Sequence, residues 1–500
     1  MASAGPVKRL SAQDASFLYF EKKEAPLHIG SIAVLDGCVD YAQFIENINS
    51  KLHLIPRYQQ VVVPTPFNIG HPTWEWDQKF DIRRHIFQAH LDAPGTDEQL
   101  FELSARLFAP MLDRNKPLWE MFVIDGLEGG RSALLSRVHH CLVDGVSGIE
   151  LLMLVMDVSP NSIPPAPAPP IEKEVQEPPY TRLLNAIFDN ARADLDALAA
   201  RQNTFVDAIF GEPRVRSMRR AVETVLPYAQ VPVARAPFNR PLTGGRKVAF
   251  SDYSFQEIRR IRQAAGGTVN DVVLTVLGGG MGKYLEMHGQ TTRGRSVRVL
   301  TPVNVRREDE RSALGNRVSM QLVEVPAGVP DPLERLDIIR QRTDALKRRR
   351  VAEGIESLGD GANAMPPALQ AFLGTLPQPG NTLANMVCTN VPGPMIPLYT
   401  LGHRLEAHYP MIPLGWEMGI SLGVTSYDQK LYFGFMADSE CGSDVDRLRD
   451  FADQAYVELR NAAGVGKSDL PHVGVPVPEE APRRRRASSA STQALAADAG

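Results

Sequence analysis

Ser132-Ala133-Leu134-Leu135-Ser136-Arg137-Val138-His139-His140-Cys141-Leu142-Val143-Asp144-Gly145 is the stretch on which the fold turns. Its first seven residues form a short, apolar-rich run suited to a buried strand. From Gly145 to Asp157 the chain is rich in Leu and Met and free of proline, which predicts a helix. The two histidines therefore fall where a strand gives way to a loop, a place where rigid elements often hold reactive groups. Adjacent strand residues point to opposite faces, so only one imidazole can enter a given cavity, and the pattern leaves open which.

An imidazole titrates close to neutrality and can take a proton from a substrate hydroxyl. Positioned general-base catalysis of this kind is worth roughly 10²- to 10⁴-fold in rate. Asp144 can orient the ring, form a structural ion pair or cap the next helix. Gly145 lets a ligand or another backbone approach closely. The same residues also describe satisfied core histidines beside a capping aspartate.

Further segments narrow the choice. Ser11-Ala12-Gln13-Asp14-Ala15-Ser16-Phe17-Leu18 opens the chain, Pro117-Leu118-Trp119-Glu120 precedes the histidines, Asn270-Asp271 lies within Thr268–Leu274, and Asn390-Val391-Pro392-Gly393-Pro394 follows late. Together with His139-His140-x-x-x-Asp144-Gly145, these resemble, in order, the motifs of bacterial wax ester synthase/diacylglycerol acyltransferases, within the CoA-dependent acyltransferase superfamily. The resemblance spans roughly residues 8–460. The HHxxxDG pattern alone is moderately specific; the five segments together are strongly so.

The resemblance implies an α/β protein of two chloramphenicol-acetyltransferase-like domains, with a channel between them and the histidine at its middle. It implies transfer of a fatty acyl group from acyl-CoA to diacylglycerol or a long-chain alcohol, without a cofactor. By the same resemblance His140 is the general base and His139 a supporting neighbour. Asp144 is then mainly architectural, pairing with an arginine for which Arg306 is the candidate. Two other readings share the scaffold: transfer to a different lipid or polyketide acceptor, and a weakly active lipid-binding paralogue on droplets.

Asn270 carries two compatible readings. An amide donor can stabilise the oxyanion formed when a thioester is attacked. Asn270 and Asp271, following Gly266-Gly267, also suit the start of a helix running to about Tyr284. Pro117 and Trp119 read as packing residues. Gly145-Val146-Ser147-Gly148-Ile149 lacks the last glycine of a nucleophile elbow. Gly278-Gly279-Gly280-Met281-Gly282-Lys283-Tyr284 is one residue short of a phosphate loop and has Tyr284 where a Ser or Thr is needed, so it reads as a close-packed helix segment. Diverging strand histidines with no zinc-like partner pair predict no metal.

With 500 residues the chain is too long for one growing core, so two domains are expected. A net charge of −4 and the lack of a basic-aromatic module argue against a nucleic-acid partner. Four scattered cysteines, Cys38, Cys141, Cys388 and Cys441, suit a reducing cytosol. Cys141 invites a nucleophile reading that direct transfer makes unnecessary. No signal peptide or membrane span is legible, so a cytoplasmic protein is expected. Its substrates would still draw it to a membrane or lipid-droplet surface. An apolar stripe through Leu184, Ile187, Phe188, Ala191, Leu195 and Leu198 reads more readily as core than as an anchor. The block Arg483–Arg486 can meet an anionic leaflet or sit in a solvated tail.

The chain divides into an N-terminal acyltransferase domain (1–160), a Pro-rich linker with a helical crossover (161–245), a C-terminal acyltransferase-like domain (246–465) and a disordered tail (466–500). Within the third segment, strands are expected over Ser296–Pro302 and Lys430–Met436, and a charged helix over Pro332 to about Val351.

Overall fold

The apolar-rich run before the histidine pair does fold as a strand, Ser132–His139, buried at all but one position. In the computed structural model the described residues are 9–142, 152, 155–161, 178–188, 233–304, 318–348, 366–376 and 383–468. The strands in chain order are β1 (His28–Leu35), β2 (Gln60–Val63), β3 (Thr73–Trp76), β4 (Ile86–His90), β5 (Trp119–Asp125), β6 (Ser132–His139), β7 (Arg246–Ser254), β8 (Ser296–Asn304), β9 (Val318–Pro326), β10 (Met386–Val391), β11 (Tyr399–Thr400), β12 (His403–Met411), β13 (Ile420–Tyr427) and β14 (Lys430–Asp438). The helices are α1 (Ala12–Phe20), α2 (Tyr41–Lys51), α3 (Asp97–Phe108), α4 (Phe255–Ala265), α5 (Val269–Met287), α6 (Pro332–Arg348), α7 (Pro367–Thr375) and α8 (Val445–Ala462).

Two six-stranded sheets organise these elements, in the orders β11-β12-β1-β6-β5-β4 and β7-β14-β13-β10-β8-β9, beside the small β2-β3 pair. Both are mixed: β4 and β5 are parallel in the first sheet, and β10 runs parallel to β8 and β13 in the second. The fold is the expected two-domain α/β class. One core fills the space between the second sheet and its helices, while two others cover opposite faces of the first.

Chain order and sheet membership part company at one place. Residues 399–411 fall within the expected 246–465 unit, yet β12 pairs antiparallel with β1, from Gly30↔Met411 to Leu35↔Leu405. The second half thus lends two strands to the first sheet. On its way β12 presses against the second sheet: a Cβ on Gly434 would sit 1.9 Å from the Pro410 carbonyl oxygen. Only a residue without a side chain admits that approach.

The glycine run of α5 has the same explanation. A Cβ on Gly282 would lie 2.3 Å from the Ala327 carbonyl oxygen, and one on Gly280 would lie 3.0 Å from the Ala452 nitrogen in α8. These glycines let the helix seat against its neighbours, as their failed phosphate-loop spacing suggested. Gly282→Ala is therefore expected to destabilise by about 1–3 kcal/mol through overpacking, although alanine ordinarily favours a helix by roughly 1 kcal/mol. A raised denaturant midpoint for Gly282→Ala would contradict this.

The apolar stripe behaves differently from its expectation as core. Residues 179–188 are helical, with Ala186 fully buried but Leu184, Ile187 and Phe188 exposed at 50%, 46% and 68%. The helix touches the body through Ala186, beside Gly70, and through an Arg182–Glu75 ion pair at 3.3 Å. That docking edge turns the larger side chains outward. Ala191, Leu195, Leu198 and Arg483–Arg486 lie outside the described residues. Among those described, no helix is long and apolar enough to cross a membrane.

Candidate active site

The end of β6 is pinned from both sides. The His139 N–H donates to the Leu118 carbonyl at 2.9 Å, and the His140 N–H donates to the Leu27 carbonyl at 2.9 Å. His139 stands opposite His28 in the β1–β6 register. Strand geometry sends the two imidazoles to opposite sides. The structure decides which one is accessible: the His139 side chain is buried, and His140 is half-buried. The Phe17 ring stacks on His140 with centroids 4.1 Å apart and planes 16° from parallel. That contact shows what the opening segment does, since Phe17 is part of α1.

His139 is held as a definite tautomer. Its Nδ1 accepts the Cys141 N–H at 3.1 Å, which fixes the proton of the neutral ring on Nε2. Nε2 lies 3.4 Å from Glu21 Oε2, near enough for electrostatic attraction but outside good hydrogen-bond geometry. Glu21 is the C-cap residue of α1. Its Oε1 accepts the Leu27 N–H at 2.9 Å, and its Oε2 accepts from Arg114 Nη2 at 2.8 Å. Burial pushes the Glu21 carboxyl up. The imidazole of His139, the Arg114 guanidinium and the Leu27 N–H outweigh that effect and hold it down at about 2, so the group is an anion.

Neighbouring groups are silenced by their surroundings. Burial raises the Cys141 thiol well above its usual range, with Asp14 and Glu21 adding to the shift, so no thiolate is at hand for nucleophilic attack. His28 donates from Nε2 to the Phe108 carbonyl at 2.6 Å, and burial followed by Arg137 lowers it to about 3. It is a neutral strut. Trp119 packs as expected: it is buried, donates Nε1–H to the Tyr58 carbonyl at 2.8 Å and stacks on His85.

The ND pair divides its work. Thr268 and Asp271 form a capping box at the start of α5, with the Thr268 N–H donating to Asp271 Oδ2 at 2.8 Å and the Asp271 N–H to Thr268 Oγ1 at 3.2 Å. Thr343 Oγ1 adds a 2.8 Å bond to Asp271 Oδ1, so Asp271 is structural. Asn270, half-buried in the same first turn, takes no part in that box. Asp144, Gly145 and Arg306 lie outside the described residues. Sequence reasoning missed Glu21 and Arg114. A carboxylate closing the apolar run Phe17-Leu18-Tyr19-Phe20 was the only signal, and its meaning depends on partners distant in the chain.

The chain matches the wax ester synthase/diacylglycerol acyltransferase catalytic domain over residues 10–273 and the C-terminal domain of the same family over residues 314–460. It is 31% identical over 460 residues to a putative diacylglycerol O-acyltransferase of Mycobacterium bovis, covering 91% of this chain and 96% of that protein. The same figures hold for a probable diacylglycerol O-acyltransferase, tgs1, of Mycobacterium tuberculosis. Among solved structures, the wax ester synthase/diacylglycerol acyltransferase of Marinobacter aquaeolei shares the fold with a TM-score of 0.64 at 23% identity, over 92% of this chain and 100% of that one. The first condensation domain of the calcium-dependent antibiotic synthetase does so at 0.59 and 16% identity, over 92% and 97%. With both of its domains matched in order and the histidine motif at the end of β6, the chain belongs to the wax ester synthase/diacylglycerol acyltransferase family.

Proposed function

We propose that this chain makes triacylglycerol by transferring a long-chain acyl group from acyl-CoA to the free hydroxyl of diacylglycerol, with long-chain alcohols as a second class of acceptor. His140 is the general base. Its Nδ1 is buried, so Nε2 is the nitrogen proposed to meet the substrate. Nε2 takes the hydroxyl proton as the oxygen attacks the thioester carbon. The carbon–sulfur bond then breaks, and the leaving thiolate receives that proton to give CoA. A thioester is already activated for this exchange, so the chemistry calls for no cofactor. Asn270, free of the capping box, is the proposed amide donor to the oxyanion. Donor and acceptor reach His140 through a channel between the two halves.

The single observation that carries this reading is the half-buried His140 ring, held beside Phe17 at the end of β6 while its neighbour His139 is sealed. Water-insoluble acceptors place the cytoplasmic enzyme at a membrane or droplet surface. Exposed Leu184, Ile187, Phe188, Phe372 and Leu376 support that placement. Phe372 belongs to α7, which packs on α1, the helix carrying Phe17.

The test is release of CoA thiol by the purified chain given long-chain acyl-CoA and vesicles containing diacylglycerol. Release that depends on diacylglycerol more than on a long-chain alcohol supports triacylglycerol synthesis. No release with either acceptor overturns the proposal.

A further inference from the structure

We propose that Glu21 is a positioning residue for the reaction, acting through His139 to set the turn that aims His140. Its carboxylate faces three partners: it accepts from the Leu27 N–H and from Arg114 Nη2, and it lies 3.4 Å from His139 Nε2, an electrostatic contact beyond good hydrogen-bond geometry. Two of these bracket the base. Leu27 accepts the His140 N–H through its own carbonyl, and His139 precedes His140 in the chain.

An anion beside Nε2 keeps the His139 proton there. That leaves the Nδ1 lone pair for the Cys141 N–H, the bond that closes the backbone around His140. Without the anion the other tautomer places a proton on Nδ1, facing the Cys141 N–H, and the two donors repel. Glu21 also caps α1 by donating its own N–H to the Phe17 carbonyl, so one residue fixes both the turn under His140 and the ring stacked on it. Arg114 neutralises the charge and donates again to the Leu18 carbonyl at 2.8 Å, tying the segment before Pro117 to α1. The side chain of Glu21 is 1% exposed, so solvent does not hold it in place; its donors do.

The inference rests on His140 being the base, and the two ideas fail separately. Full activity in His140→Ala sinks the base assignment. Loss at His140 with an unchanged kcat in Glu21→Gln sinks only the role of Glu21. Glutamine keeps the shape but removes the charge beside His139 Nε2 and offers one acceptor oxygen to the Leu27 N–H and Arg114. We expect kcat to fall about ten- to a hundredfold, the scale of a base misplaced by up to roughly 1 Å, with KM for acyl-CoA unchanged. In a His139→Ala background the same substitution should change kcat by less than about twofold, because the intermediary is gone. Losses that multiply independently would overturn the proposal.

Should Glu21→Gln fail to fold, His139 supplies the answer alone. Glutamine at 139 can place an N–H where Nε2 was, whereas asparagine can replace only the Nδ1 acceptor. The Cys141 N–H closes the turn on that acceptor, and an amide oxygen accepts whatever its neighbours, so His139→Asn should retain more kcat than His139→Gln. Equal or reversed activities would overturn the proposal.

Discussion

His140→Ala should lower the rate of acyl transfer roughly 10²- to 10⁴-fold, the contribution of a positioned general base, while the protein unfolds at nearly the wild-type midpoint. The asymmetry between rate and stability follows from the site. His140 is tied to the fold by its backbone, through the bond to Leu27, and alanine keeps that bond. The half-buried ring stacks on Phe17, and losing this contact costs on the order of 1 kcal/mol. His139→Ala should differ in both respects. Its ring is sealed and bonded to the Cys141 N–H, so stability falls, yet transfer stays measurable with a loss of up to roughly 10²-fold from misplacement. Initial rates of CoA release and thermal melting of the two variants decide the matter. Equal activity of His140→Ala and wild type would remove the base from His140.

What could be seen in the sequence was what depends on nearby residues. The strand expected over Ser296–Pro302 is β8, Ser296–Asn304, and that over Lys430–Met436 is β14, Lys430–Asp438. The helix expected from Asn270 to about Tyr284 runs Val269–Met287, and the charged helix from Pro332 ends at Arg348 within the described residues. Period and capping are written within a few residues, so they survive without knowledge of the fold. Pairing across the chain is not. Nothing local in His403–Met411 says that it adds to β1, whose partner residues lie hundreds of positions earlier. Burial of the 179–188 helix was misjudged for a related reason: apolar spacing identifies a face but not what covers it. The histidine motif was legible because its residues are contiguous. Glu21 was not, because its role exists only once α1, β1 and the 114 loop converge on His139.

The same convergence makes Glu120 the site of the largest expected loss of stability. It follows Trp119 in the motif before β6, and its partner across the β5–β6 ladder is Arg137, two residues ahead of His139. Glu120 Oε2 accepts from Arg137 Nη2 at 2.5 Å and Nε at 3.1 Å, while Oε1 lies 2.9 Å from Lys116 Nζ. Arg137 is only 6% exposed, and its remaining bond, to the Pro110 carbonyl, carries no charge in return. Glu120→Ala would strand a guanidinium in the core and leave Lys116 unpaired, which costs about 3–5 kcal/mol. Glu120→Gln should cost less, since an amide oxygen still accepts one of the Arg137 bonds. The double variant Glu120→Ala with Arg137→Met should recover much of the single-variant loss, because the buried charge goes with its partner. Denaturant unfolding of the three proteins gives the ranking. If Glu120→Ala and the double variant lose the same stability, the ion pair is not what holds β5 to β6, and the packing of Trp119 carries that duty instead.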